Sequence, residues 1–328
     1  MRKIPGKINN LQILRAFAAI NVVIFHIIGT STAYGFEADK LSLFRGWGAN
    51  GVDVFFVLSG FVMLHSQLQK KRSAWNFFKF RLIRIIPIYW FVTMIMVFSY
   101  FLAPPSNFNS TIPSIEMILQ SLFFLSAAIS GNSPILGVGW TLEWEMLFYL
   151  IFAFSLLFSK WNKSYLFIII FFIFTIIVTS EFIIIEFLYG MLIAYLYGQY
   201  SVGHKKGLAI AIVGFVFLLC SINQLDSEYF HRVIVWGLPS FLIIFGLVYA
   251  KQYKSLLLEY LGNASYSIYL IHFLFISVFY KVINNMSIVL NNDFLALLCL
   301  IGSILCGAIL YSFIEKPLLE FIKSKSKF

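Results

Sequence analysis

Residues 14–27 read LRAFAAINVVIFHI, an apolar stretch with an arginine near one end and a histidine near the other. Arg15 and His26 are eleven positions apart, which corresponds to three helical turns plus about 20°. A helix therefore places both side chains on one face, about 16 Å apart along its axis. Two alternatives stay open: Arg15 snorkels to the headgroups, and His26 bonds to a neighbouring carbonyl. Because ionisable groups at depth usually line a pathway or a site, we expect His26 to be functional.

The rest of the chain is equally apolar. Of its 328 residues, 60% are hydrophobic and 12% charged, against roughly 45–50% and about 25% in soluble domains. Runs of about 20 apolar residues recur along it, as in membrane proteins built of transmembrane helices. The composition therefore predicts an all-α, polytopic membrane helix bundle, with one integral domain over residues 1–328 and no fused extracytoplasmic domain.

The net charge of +10 is distributed in a way that argues against nucleic acid as a partner. The basic residues lie mostly in short loops and at the two ends, where they set membrane topology. A basic soluble surface with interleaved aromatic residues, as nucleic-acid binding requires, is not found.

Hydropathy marks eleven apolar segments as candidate membrane crossings. They lie at about 11–31, 47–68, 82–103, 115–130, 139–158, 164–180, 182–199, 207–223, 233–250, 264–283 and 293–314. Arg2, Lys3 and Lys7 place the N-terminus in the cytoplasm.

The basic clusters decide which segments cross. Four of them follow segment 115–130 in the chain: Lys160 with Lys163, Lys205 with Lys206, Lys251 with Lys254, and the tail KSKSKF (323–328). If segment 115–130 crosses, all four fall outside; if it is re-entrant or interfacial, all four fall inside, as the positive-inside bias favours. We therefore predict about ten transmembrane helices, with the N- and C-termini both cytoplasmic.

Neither metal nor disulfide chemistry is indicated. Cys220, Cys299 and Cys306 lie inside apolar segments and show no CxxC spacing. No HExxH or comparable ligand spacing occurs, so no metal site is expected.

The second apolar segment contains GVDVFFVLSGF (51–61), which brings Asp53 in from the outer side to about the depth of His26. A carboxylate that accepts a proton from one imidazole nitrogen leaves the other nitrogen free as a base. Alternatively, Asp53 stabilises the start of its own helix. Ser59 and Gly60 are expected to permit close helix contact.

A further acidic pair lies in GWTLEWEMLFY (139–149). Glu143 and Glu145 point about 200° apart on a helix, so they cannot share a face. Glu145 lies deeper and is our choice for the cavity, where it would bind an acceptor hydroxyl or pair with an arginine. The alternative is a structural ion pair.

On the cytoplasmic side, KFRLIRIIPIYW (79–90) places Arg81 and Arg84 three positions apart on one helix face. Guanidinium groups match phosphate oxygens, so this pair is a candidate phosphate site. The alternative is topological retention with contacts to anionic lipid. Further along, YSIYLIHF (266–273) places His272 inside an apolar segment.

Taken together, these stretches resemble the acyltransferase 3 family of bacterial integral-membrane O-acyltransferases. They are more similar to its exopolysaccharide-modifying members than to those that acetylate peptidoglycan or carry a fused esterase domain. The resemblance rests on Arg-x10-His (Arg15, His26), GVDxFFVLSGF at 51–61, Arg-x-x-Arg (Arg81, Arg84), W-T-L-x-x-E-x-x-F-Y at 140–149 and Y-S-x-Y-L-x-H at 266–272. It implies an acyl-CoA donor, most often acetyl-CoA, on the cytoplasmic side. It also implies a lipid-linked or polymeric glycan acceptor outside, and a place in the bacterial cytoplasmic membrane among membrane lipids.

We accordingly predict one site with two parts. The catalytic residues are expected to be His26, Asp53 and Glu145, and the donor-binding residues Arg15, Arg81, Arg84 and His272. His26 acts either as general base or as the acylated group. The alternative function is a proton-coupled transporter of a small acid or glycan precursor, since intramembrane Arg, His and Asp also form proton relays.

Overall fold

The computed structural model describes residues 8–102, 113–158, 164–222, 232–286 and 290–325, and these are helical without β-strands. Several basic residues used in the topology prediction lie outside these ranges: Arg2, Lys3, Lys7, Lys160, Lys163 and, in the last three residues of the tail, Lys327.

Within the described ranges the helices follow one another with short connections. They are α1 (Asn9–Ala33), α2 (Asn50–Gln69), α3 (Ala74–Leu102), α4 (Ile115–Leu122), α5 (Ser126–Ser130), α6 (Trp140–Leu157), α7 (Ser164–Thr179), α8 (Ile185–Gln199), α9 (His204–Cys220), α10 (Leu238–Tyr249), α11 (Leu256–Asn285), α12 (Asn292–Leu310) and α13 (Lys316–Lys325). A π-helical turn precedes α10 (Val233–Gly237), and another joins α12 to α13 (Tyr311–Glu315).

The described part of the chain contains seven helical segments that are long and apolar enough to cross a membrane, so the protein is a multi-pass membrane protein. They are Asn9–Ala33, Trp47–Gln69, Ala74–Phe101, Gly137–Leu157, Phe182–Gln199, Leu256–Asn285 and Asn292–Ile322. Shorter apolar helices cover Leu166–Thr179 and Val233–Tyr249. Ten crossings and cytoplasmic termini stay predictions, although a helix overlaps each of the ten segments expected to cross.

The segment at 115–130 is broken into two short helices. α4 has eight residues and α5 has five, whereas crossing the hydrocarbon core takes about 20. Polar contacts hold the segment to its neighbours: Trp90 Nε1 donates to the Leu122 carbonyl at 2.8 Å, and the Glu143 carboxylate accepts from the backbone N–H groups of Ser126 and Ala127 at 3.0 Å each. Its short helices agree with a re-entrant or interfacial position.

Close backbone contacts hold α1, α2 and α11 in place around the site. α1 packs against both α2 and α11, and α2 also packs against α8. A Cβ atom on Gly60 would lie 2.0 Å from the Phe187 carbonyl oxygen, and one on Gly262 would lie 2.0 Å from that of Gln12. Small residues allow such approach between membrane helices, so the role predicted for Gly60 is confirmed.

Candidate functional site

A cavity of about 110 Å³ lies between α1, α2, α3, α6 and α11, and we call it the inner cavity. Its polar lining residues are Arg15, Ser59, Arg81, Arg84, Thr141, Glu145, Tyr149, Ser265, Tyr266 and Tyr269. Four of the seven predicted site residues therefore face one space.

Arg15, Arg81 and Arg84 bring three guanidinium groups to the inner cavity, and each is half-buried. The three-residue spacing of Arg81 and Arg84 on α3 puts both on the side that faces the cavity. Arg81 stacks on the rings of Phe77 and Tyr149, with its Cζ atom 5.6 and 5.7 Å from their centroids. Among the described residues, no carboxylate oxygen lies within 4 Å of these three side chains. The cluster therefore presents positive charge to the cavity.

Glu145 belongs to this arginine cluster. Its Oε1 accepts hydrogen bonds from the hydroxyls of Ser59 and Tyr149. The sequence analysis listed Glu145 with His26 and Asp53 as catalytic and left two roles open for it, binding an acceptor hydroxyl or pairing with an arginine. The structure places it in the same cavity as the arginines, beyond ion-pair distance from them. Ser59, expected only to permit close packing, contributes a hydroxyl to the cavity.

The two predicted histidines lie against each other, 246 positions apart in the chain. The ring centroids of His26 and His272 are 5.1 Å apart, and the Phe273 ring lies 5.5 Å from His26. His272 is fully buried, its Nδ1 pairs with the Ile268 carbonyl at 3.1 Å, and its Nε2 has no hydrogen-bond partner among the described residues. Neither histidine lines the inner cavity, so His272 neighbours His26 rather than the arginines.

Tyr269 separates the inner cavity from the histidine pair. It lines the cavity, and its ring centroid lies 5.9 Å from that of His272, one turn later on α11. The hydroxyl of Tyr269 donates to the Val138 carbonyl at 3.0 Å and lies 2.7 Å from Thr141 Oγ1. These hydrogen bonds hold Tyr269 in place between the inner cavity and the histidine pair.

Asp53 is not the partner of His26, so the prediction that it orients this imidazole is wrong. Arg232 donates from Nε to Oδ1 at 3.0 Å and from Nη2 to Oδ2 at 2.9 Å. Asp53 is fully buried, while Arg232 also bonds to the Ala49 carbonyl and stacks on Trp236. The sequence prediction did not include Arg232, because it directly follows the polar stretch LDSEYFH (225–231) and so resembles an ordinary loop residue.

Two buried acidic residues were missed by the sequence prediction. Glu315 accepts a hydrogen bond from Ser267 Oγ at 2.5 Å and is close enough to Arg15 and Arg84 to interact electrostatically. Glu186, on α8, is fully buried and interacts with Asp53 and Arg232. Glu186 lies inside the apolar segment 182–199 and Glu315 directly follows the segment 293–314. A carboxylate at such a position is a signal of function that the sequence carries.

Comparisons with known proteins agree on one family. A family model described as an acyltransferase domain matches residues 8–313. The exopolysaccharide production protein ExoZ of Rhizobium meliloti is 33% identical over 302 residues, which cover 83% of this chain and 90% of that protein. A putative acetyltransferase, ORF330, of Acidianus two-tailed virus is 29% identical over 80% of this chain and 81% of its own.

A third relative matches over a shorter range. The peptidoglycan O-acetyltransferase OatA of Listeria monocytogenes is 31% identical over 166 residues, or 46% of this chain and 24% of that protein. No solved structure matches the chain.

Proposed function

Since the chain belongs to the acyltransferase 3 family and is an acyltransferase, we propose that it moves an acetyl group from cytoplasmic acetyl-CoA to a hydroxyl of an envelope or secreted glycan at the outer face. Membership of this family favours an enzyme over the transporter that the sequence left as an alternative. The proposal includes a position in the bacterial cytoplasmic membrane with both termini in the cytoplasm.

The observation that carries the proposal is the arginine cluster of the inner cavity. Arg15, Arg81 and Arg84 have no carboxylate within 4 Å among the described residues. Charges at membrane depth are costly unless they are compensated. Glu145 and Glu315 interact with the arginines only from beyond ion-pair distance, so the remaining positive charge favours an anionic ligand. Guanidinium forks match phosphate oxygens, and the phosphates of CoA are the anions that an acyl-CoA donor brings.

The inner cavity also lies next to the histidine pair, where acyl transfer is proposed to occur. Its wall at Tyr269 touches His272, which lies against His26. A donor whose phosphates bind the arginines would therefore extend its pantetheine arm towards the histidine pair.

His26 is the proposed reactive group. As general base it would accept the proton of the sugar hydroxyl and pass it to the departing sulfur; as nucleophile it would carry the acyl group briefly. In both mechanisms the thioester C–S bond breaks, a C–O bond to the sugar forms, and the hydroxyl proton ends on the CoA thiol.

His272 and Glu145 support this chemistry in the proposal. Because Nδ1–H of His272 donates to Ile268, its Nε2 is an acceptor, and we assign it the orienting role that Asp53 does not fill. Both described hydrogen bonds to Glu145 reach Oε1, which leaves Oε2 to accept from a substrate group. Asp53 then acts through Arg232 on the position of α2.

A glycan acceptor is supported by the names of the relatives. One is a protein of exopolysaccharide production and another a peptidoglycan O-acetyltransferase. We propose that the acceptor is lipid-linked or polymeric.

The test uses purified protein in nanodiscs with radiolabelled acetyl-CoA and a crude extract of lipid-linked glycan. Wild type is expected to label the glycan and release CoA, and His26→Ala to lose about 10²- to 10⁴-fold in turnover while still binding CoA. His204→Ala, a change at a histidine outside the inner cavity, is the matched control and should retain activity.

Omitting the acceptor separates the two roles of His26. Label that stays on wild type but not on His26→Ala indicates an acyl-histidine, and its absence indicates a general base. Absence of CoA release with acceptor present would contradict the proposed function.

A further inference from the structure

A second cavity, of about 220 Å³, adjoins the inner cavity. We call it the outer cavity to distinguish it from the inner one; the name does not refer to the outer face of the membrane. Arg81 and Arg84 line both cavities, Arg15 lines only the inner one and Arg72 only the outer one. The four arginines therefore follow a continuous path from Arg72 to Arg15.

Arg72 lies in the connection between α2 and α3, and its backbone is fixed. Its N–H donates to Gln67 Oε1 at 3.2 Å, and its carbonyl accepts from Gln67 Nε2 at 2.8 Å. Its guanidinium lies over the Phe80 ring, with Cζ 5.5 Å from the centroid. Among the described residues, the guanidinium makes one hydrogen bond, a long one of 3.4 Å to the Ser66 carbonyl. Most of its five N–H donors are thus left for a ligand.

Apart from its arginines and Ser66, the outer cavity is lined by apolar or aromatic side chains. Phe77 and Phe80 come from α3, and Leu319 and Ile322 come from one face of α13. No carboxylate stands among the described residues that line it. Phe77 is buried against Phe152 and Arg81, whereas Phe80 is half-buried beside Arg72. Since guanidinium groups bind phosphate and aromatic side chains stack on bases, Arg72 with Phe80 suits a phosphate attached to a heterocyclic base.

We propose that the outer cavity binds the nucleotide end of the acyl-CoA donor and that Arg72 contacts its ribose 3′-phosphate. This inference rests on the proposed function. The thioester end must reach the histidines, so the diphosphate lies near Arg81 and Arg84, which both cavities share. The 3′-phosphate, farther from the thioester, then meets the arginine that lines the outer cavity alone.

The experiment compares two donors that differ in one phosphate group. kcat/KM is measured for acetyl-CoA and 3′-dephospho-acetyl-CoA in nanodiscs of zwitterionic phosphatidylcholine. Wild type is expected to prefer acetyl-CoA about tenfold or more, the effect of a charge-assisted hydrogen bond. Arg72→Gln should abolish this preference by lowering kcat/KM for acetyl-CoA alone. Lys71→Gln, which removes the neighbouring exposed charge, should keep it.

The other outcomes overturn the inference. An equal loss for both donors in Arg72→Gln, or a loss that appears only when anionic phosphatidylglycerol is added, would assign Arg72 to loop structure or to a lipid headgroup phosphate. Equal use of both donors by wild type would also contradict it while leaving the proposed function intact. Failure of wild type to use either donor would contradict the proposed function itself.

Discussion

Arg232 and the arginines of the inner cavity show two different uses of the same side chain. Arg232 makes two hydrogen bonds to one buried carboxylate, Asp53, and a third to a backbone carbonyl. Arg15, Arg81 and Arg84 face a cavity and have no carboxylate within 4 Å among the described residues. An ion pair inside the protein satisfies its own charge, whereas three guanidinium groups around a space that also contains Glu145 leave positive charge for a ligand. The comparison therefore separates a structural arginine from proposed donor-binding ones.

The largest effect is expected for Arg232, the structural arginine of this comparison. Arg232→Gln leaves the Asp53 carboxylate buried without its cation, and we expect the free energy of unfolding to fall by about 3–5 kcal/mol. Unfolding in mixed detergent micelles measures it. Arg45→Gln is the matched control: it breaks the exposed Arg45–Glu37 pair of 2.9 Å and should cost about 1 kcal/mol or less.

A double variant sharpens that result. Adding Asp53→Asn to Arg232→Gln removes the uncompensated charge, so the double variant should be less destabilised than Arg232→Gln alone. A double variant that is less stable than the single one would show that the salt bridge is not the reason for the loss.

The second effect is on the ligand side. Arg81→Gln should weaken acetyl-CoA binding by about 10- to 150-fold, corresponding to roughly 1.5–3 kcal/mol for a hydrogen bond to a charged group. Because Arg81 forms no ion pair among the described residues, the unfolding free energy of Arg81→Gln should fall by less than that of Arg232→Gln. Titration calorimetry and the same unfolding assay test both statements. Unchanged donor affinity together with a large loss of stability would make Arg81 a structural residue like Arg232.

The smallest effect distinguishes charge from geometry. Arg84→Lys keeps the positive charge but loses the planar fork that binds two phosphate oxygens. We expect a loss of donor affinity of about tenfold or less, smaller than that of Arg84→Gln. Equal losses for the two variants would indicate that charge at this position does not contribute to donor binding.

The positions of the helices were largely predictable, because an apolar segment is selected by its own composition. A helix overlaps each of the ten segments expected to cross, and the segment at 115–130, predicted not to cross, consists of two short helices. Spacing along one helix was also informative: Arg81 and Arg84 face one cavity together, as their three-residue separation predicts.

Contacts between distant helices were not predictable in this way. Asp53 was matched in depth with His26, but its partner is Arg232, 179 positions away. Glu145 joined the arginines instead of the histidines, and His272 joined His26. Depth in a membrane restricts which residues can meet, but it does not say which helices are neighbours.

Hydrophobicity and helical period are local properties, so the amino-acid sequence alone indicates a bundle of apolar helices carrying a small set of polar side chains. Which of those side chains meet depends on the tertiary structure. Helix neighbours depend on close packing at small residues, as where the Phe187 backbone lies against Gly60. That packing brings Arg15, Arg81, Arg84 and Glu145 to one cavity and places the two histidines just beyond its wall.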